Sequence, residues 1–170
     1  AAHMAKGSSK FGKYKERKVR EALRNPINVL KSLSEKSQEK SYKYQRLYRN
    51  LYNPEFYLLA YQNIYANKGS MTPGVDGMTI DGISMARINR IIESMRNQSY
   101  QPKPARREYI KKKTGNKKRP LGISSADDKL VQEVVRMILE SIYEGSFSVK
   151  SHGFRPNKSC HTALIQIRKT

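Results

Sequence analysis

The densest chemistry in this sequence is positive. Between Arg106 and Arg119 stand eight cations, Arg106, Arg107, Lys111, Lys112, Lys113, Lys117, Lys118 and Arg119, against one acid, Glu108. No protein core buries that density of charge, so the run faces water or a polyanion. Guanidinium groups meet phosphate oxygens as planar forks and ammonium groups meet them as compact charges, so the chemistry on offer is phosphate binding. By charge alone the run reads equally as a solvated, solubilising hairpin. The carboxylates offer less. Asp127 and Asp128 adjoin, but Ser125-x-x-Asp128 is the pattern of a capping box, in which one acid caps and the other favours the positive helix end. Asp76 and Asp81 are loop acids without a third partner, and His3, His152 and His161 have no metal-ligand spacing. One cysteine, Cys160, excludes an internal disulfide and a multi-cysteine metal site; it reads as a small packing residue. No metal site is expected.

The elements that must position the cations follow from local signals. Two strand-like arms, residues 108–112 and 118–123, flank Thr114-Gly115-Asn116 and predict a β-hairpin. Tyr100, Pro102 and Pro104 keep the lead into it extended. Asn25-Pro26 and Asn53-Pro54 predict two helix starts, the first followed by one interrupted helix or two, the second by a helix ending near Gly69. Residues 69–82, with four glycines and a proline, form a loop. A helix over residues 83–96 buries Ile88, Ile91, Ile92 and Met95 and puts Arg87, Arg90 and Arg96 on or beside the opposite face. The longest apolar stripe, Leu130, Val131, Val134, Val135, Ile138, Leu139 and Ile142, marks the core's central helix. Residues 152–156 form a turn or short strand, in one of two readings a structural turn with Phe154 as core anchor, and Ser159 is expected to cap a last helix bearing Ala163, Leu164 and Ile167. Most of the eleven tyrosines fall at 42–65 among Lys43, Arg46 and Arg49, where they pack with a wet hydroxyl or stack on bases.

Net charge is +20 in 170 residues, which points to an anionic partner, nucleic acid before a membrane surface. No stretch approaches the ~18 apolar residues of a spanning helix, and the start lacks a signal peptide's apolar core, so a cytoplasmic, non-membrane protein is expected. Ala1-Ala2-His3 ahead of Met4 reads as a cloning remnant, and residues 5–24 as a flexible basic tail.

The hairpin's pattern goes beyond its charge. Arg106-Arg107, Tyr109-Ile110-Lys111-Lys112-Lys113 and Arg119-Pro120-Leu121-Gly122-Ile123 resemble the first block of reverse transcriptases, most closely those encoded by group II introns, RR-x-x-IPKK-x-G-x-x-RPLGIP. Lys111 and Ser124 stand where that block has proline, and neither departure removes a charge. Pro73-Gly74-Val75-Asp76-Gly77 with Thr79 is similar to the family's PG-x-DG-x-T segment, and Tyr100, Pro102 and Pro104 to its Y-x-P-x-P lead. Asp128-Lys129-x-Val131-Gln132 resembles a D-R-x-V-Q helix start, and Ser151-x-Gly153-Phe154-Arg155-Pro156 with Ser159 the S-x-GFRP-x-x-S block. These follow one another in the family's order.

The resemblance implies the N-terminal part of a group II intron reverse transcriptase and maturase, an RNA-directed DNA polymerase that also assists splicing. The expected architecture is α+β and mainly helical: fingers with a basic antiparallel hairpin and a truncated palm. It divides into a remnant and basic N-terminus (1–24), a helical N-terminal extension (25–67), and fingers with the beginning of the palm (68–170). By the same resemblance Lys112 and Arg119 fall where the incoming deoxynucleotide's phosphates bind. Arg106, Arg107, Lys111, Lys113, Lys117 and Lys118 are read as RNA contacts, as are Thr72, Gly74, Gly77 and Arg155; Asp76 is a further template candidate or a turn cap. Arg155 reads alternatively as a bridge to a helix end. Magnesium is implied for the parent enzyme, but its aspartates belong to blocks absent here, so this chain alone is expected to be inactive. Expected partners are intron and template RNA and the template–primer duplex, with homodimerisation left open. A stand-alone basic RNA-binding module, or a retron or diversity-generating reverse transcriptase, is the alternative.

Overall fold

The structure, a computed structural model, describes residues 25–112 and 117–169. The tail at 5–24, the hairpin turn and Lys113 lie outside the described residues. In chain order come α1 (Pro26–Lys36), a 3-10 turn (Leu47–Tyr52), α2 (Pro54–Tyr65), α3 (Met85–Arg96), β1 (Arg106–Lys111), β2 (Lys118–Ile123), α4 (Ala126–Tyr143) and α5 (Cys160–Lys169). Helices with one two-stranded antiparallel sheet make this an α+β chain.

The helices begin where short polar side chains satisfy their first amides. Asn25 accepts from the Ile27 N–H at 2.9 Å and Asn53 from the Glu55 N–H at 3.1 Å, each with a proline following. Ser84 accepts from the Arg87 N–H at 3.3 Å, which moves the start of α3 from the expected 83 to Met85. Of the one interrupted helix or two expected after Asn25-Pro26, α1 is the α-helix, and Leu47–Tyr52 is a 3-10 segment. Arg46 ahead of it is left-handed at φ 56°, and Asn53 before Pro54 is extended, so no α-helix can run through either end.

One core joins the 3-10 turn, α2, α3 and α4, with α1 packed against it. Leu51, Phe56, Tyr57 and Ala60 pack with Ile80, with Ile88, Ile91, Ile92 and Met95 of α3, and with Leu130, Val134, Met137, Ile138 and Ile142 of α4. Leu139, expected within the stripe, is 44% exposed; one residue past Ile138 it is turned about 100° off the buried face, and Met137 packs instead. The tyrosines mainly pack. Tyr57 is wholly buried and donates to the Leu51 carbonyl at 2.9 Å, while Tyr44 donates to Leu33 O at 3.1 Å and Tyr48 to Met95 O at 3.2 Å.

Two expectations fail near the C-terminal end. Phe154 is fully exposed, with a left-handed φ of 55°, and anchors nothing; Arg155 beside it is the residue that is tied down. Cys160 is exposed rather than packed, and α5 buries no residue, leaving Leu164 and Ile167 open among the described residues.

Candidate nucleic-acid interface

The hairpin register pairs Arg106 with Ile123, Arg107 with Gly122, Glu108 with Leu121, Tyr109 with Pro120, Ile110 with Arg119 and Lys111 with Lys118. The first strand thus begins two residues earlier than the expected 108, the second spans the expected 118–123, and the Lys112 N–H extends the ladder to the Lys117 carbonyl at 3.0 Å. Side chains alternate along a strand, and opposed residues share a face. Lys112, Lys117 and Arg119 therefore stand on one face with Ile110 and Leu121, and Arg107, Tyr109, Lys111 and Lys118 on the other. Lys112 and Arg119 are diagonal neighbours, with backbones about 7–8 Å apart. Their long side chains can converge on one anion.

All six of these cations are exposed, and the hairpin's single acid, Glu108, is taken by Arg106 at 3.6 Å. Lys111 opposes Lys118, and Lys112 opposes Lys117, so like charges face one another across the ladder, an arrangement an anion would relieve. Tyr109, Ile110 and Leu121 are exposed as well. A two-stranded hairpin with open faces is marginal by itself, so its root matters.

That root is a polar clamp. Arg106 Nε donates to the Pro73 carbonyl at 3.1 Å, tying the hairpin to the 69–82 loop. Gly74 lets the loop lie on the start of α4: a Cβ there would sit 2.6 Å from Ser125 Cα and 2.9 Å from its N. Gly77, at φ 69°, makes the left-handed turn that follows. Lys129 donates to the Thr72 carbonyl at 2.8 Å and the Ser70 carbonyl at 3.4 Å, and burial lowers its ammonium pKa. Asp76 accepts from Lys103 Nζ at 2.8 Å and from the Met78 N–H at 3.2 Å; the Lys103 hydrogen bond chiefly holds its carboxyl below the usual range. Asp128, buried, accepts from Ser125 Oγ at 2.7 Å, from the Lys103 N–H at 3.0 Å and from the Tyr100 hydroxyl. Burial first, and then Asp128, push the Tyr100 phenol well up.

Arg87 departs from expectation. Instead of lying on the exposed face it is 7% exposed and pairs at 2.6 Å with Asp127 of the first turn of α4. Asp127 is thus more than a helix-end charge. Neither Arg87 nor Lys103 carried a sequence signal for this: one sat in an ordinary helix pattern, the other between two prolines.

Arg155 is not gathered with the hairpin cations. Its Nε and Nη2 fork onto Glu144 at 3.0 and 2.8 Å, Nη1 donates to the Ser148 and Ser151 carbonyls at 2.9 Å each, and Nη2 also reaches the Glu144 carbonyl at 3.3 Å. All five guanidinium donors are engaged within the protein, as in the bridge to a helix end. An RNA contact from Arg155 would have to break these bonds. Thr72, Gly74 and Gly77 lie at the root rather than with Lys112 and Arg119, Gly74 buried and Gly77 exposed.

Among the described residues no three His, Cys, Asp or Glu side chains are grouped to hold a metal ion. Among them, too, no helix is long and apolar enough to cross a membrane.

No family model matches the chain. It is 51% identical over 148 residues to the group II intron-encoded protein LtrA of Lactococcus lactis subsp. cremoris, a match covering 86% of this chain and 25% of that protein. It is 44% identical over 149 residues to an uncharacterized 91 kDa protein in the cob intron of Schizosaccharomyces pombe, covering 85% and 18% respectively. A shorter match, 57% identical over 42 residues, is to the mitochondrial nuclear intron maturase 2 of Arabidopsis thaliana, covering 25% of this chain and 6% of that protein. The chain spans about a quarter of LtrA and less of the other two.

Proposed function

We propose, from the premise that this chain belongs with the group II intron-encoded proteins and intron maturases as a match to their N-terminal region, that it is the RNA- and nucleotide-gripping part of a reverse transcriptase. The observation that carries the reading is the hairpin face on which Lys112, Lys117 and Arg119 stand together with no ion pair among the described residues, the one acid of that face, Glu108, being paired with Arg106. Lys112 and Arg119 would hold the triphosphate of an incoming deoxynucleotide, stabilising charge that develops as pyrophosphate leaves. Arg107, Lys111 and Lys118, on the opposite face, would follow the backbone of template or intron RNA. The polar clamp at the root fixes the hairpin's direction, so Thr72, Gly74, Gly77 and Asp76 act by holding the loop beside it. In this reading residues 68–170 are fingers and the beginning of the palm, 25–67 are an N-terminal extension packed on them, and the magnesium ligands belong to the rest of the parent protein.

The test is primer extension on an RNA template by this chain and by a version extended toward the length of its relatives. Extension is expected from the longer version alone, and Lys112→Ala or Arg119→Ala in it should raise the deoxynucleotide KM roughly ten- to a hundredfold, the worth of one charged hydrogen bond. If the longer version binds RNA but never extends a primer, the chain is a binding module and the polymerase reading falls.

A further inference from the structure

A second basic concavity, lined by no hairpin residue, lies between α1 and the 3-10 turn. Its volume is about 700 Å³. Lys36, Arg46 and Arg49 line it together with Tyr42 and Tyr44, and no carboxylate does. Arg46 and Arg49 make no ion pair among the described residues, in contrast to Arg87, Arg136 and Arg155, which are all paired. Arg49 also lines an adjoining cavity of about 390 Å³ that holds Arg96, so the cationic wall continues beyond the first.

Of the two rings here, Tyr44 packs against the core and Tyr42 does not. Tyr44 spends its hydroxyl on the Leu33 carbonyl and turns toward Tyr42, with ring centroids 5.0 Å apart at 77°. Tyr42 carries Lys36 Nζ at 5.0 Å from its ring centre, and its hydroxyl has no hydrogen-bond partner among the described residues. A partly exposed ring, with Lys36 over one side, and two arginines that make no ion pair among the described residues line one concavity and offer ring surface and phosphate forks together. A duplex keeps its bases stacked inside and presents only backbone; an unpaired nucleotide presents both a ring face and phosphate.

We propose that this groove binds unpaired RNA, one base lying on Tyr42 with the flanking phosphates on Arg46 and Arg49. The inference rests on the reading that the chain binds RNA, and adds a second, single-strand-selective subsite apart from the hairpin.

The experiment is fluorescence anisotropy with the full chain, using a labelled ten-nucleotide single-stranded RNA and a blunt duplex of that length, at several salt concentrations. Arg46→Gln with Arg49→Gln should weaken single-strand binding about tenfold or more and flatten its log–log salt slope by about 1.4, two phosphates' worth. Tyr42→Ala should cost about tenfold and Tyr42→Phe almost nothing, since the face and not the hydroxyl is used. Duplex binding should change little in either. Crosslinking of 4-thiouridine RNA to the unmutated chain, mapped by mass spectrometry, should mark Tyr42 or its neighbours, a readout that needs no variant to fold. Single-strand binding untouched by the groove variants but lost in Lys112→Ala with Arg119→Ala, or crosslinks confined to the hairpin, overturns the groove and leaves the proposed function standing. Equal loss of duplex and single-strand binding overturns the selectivity, and absence of RNA binding by the unmutated chain overturns both readings.

Discussion

Asp76 shows how one side chain in this protein serves a distant part of it. Its carboxylate caps its own turn at Met78, receives Lys103 from the lead into the hairpin, and stands 4.0 Å from Arg87 of α3. The turn-capping half of this was legible, since an aspartate followed by glycine bonds amides two residues on. The Lys103 half was not. Because that bond depresses the carboxyl's pKa in the folded chain, its stabilisation is complete above the unfolded value near ~3.9 and is lost as pH falls through the lower folded value. Asp76→Asn should therefore destabilise the chain at neutral pH, and the gap should close below about pH 4. Urea midpoints at pH 7 and near pH 3 decide it; a gap that does not change with pH would mean that the charge of Asp76 is not what is lost.

At the scale of elements, the hairpin and the core are joined through few contacts. Its strands pack on each other, Arg106 ties it to Pro73, and both faces stay open. Replacing residues 107–122 by a short Gly-Ser linker should leave the thermal midpoint within a few degrees, because no residue of the core cluster is removed. The same change should abolish most duplex RNA binding. A large fall in the midpoint would show that the hairpin supports the core, contrary to its exposure. The hairpin itself was legible because a turn flanked by strand-formers is a local pattern; its second strand lies where expected and its first begins two residues early. Of the structural-turn reading of this block, the Arg155 bridge holds and the Phe154 anchor does not: aromatic type alone suggested a core place, whereas the bonds of Arg155 to Glu144, Ser148 and Ser151 set that turn.

For the whole molecule, a net charge of +20 is the dominant long-range property. Some three to six phosphate contacts from the unpaired hairpin cations would give a log–log salt slope of about −2 to −4 on RNA, or a loss of roughly one to two orders of magnitude in affinity between ~50 and ~200 mM salt. Anisotropy titrations measure this, and affinity indifferent to salt would rule out the phosphate-binding reading of the hairpin.

What the sequence determined by itself was whatever acts over a few residues: the Asn-Pro helix starts, the Ser125 cap, the apolar stripe of α4, the cationic hairpin, and the ordered blocks from which kinship could be inferred. Tertiary structure alone decided which charges are spent and which remain. Arg87 finds Asp127 across 40 residues and Lys103 finds Asp76 across 27, and nothing local distinguishes these cations from Arg46 or Lys112, which make no ion pair among the described residues. A charge's partner depends on which elements the apolar core brings side by side, and that is a property of packing rather than of pattern.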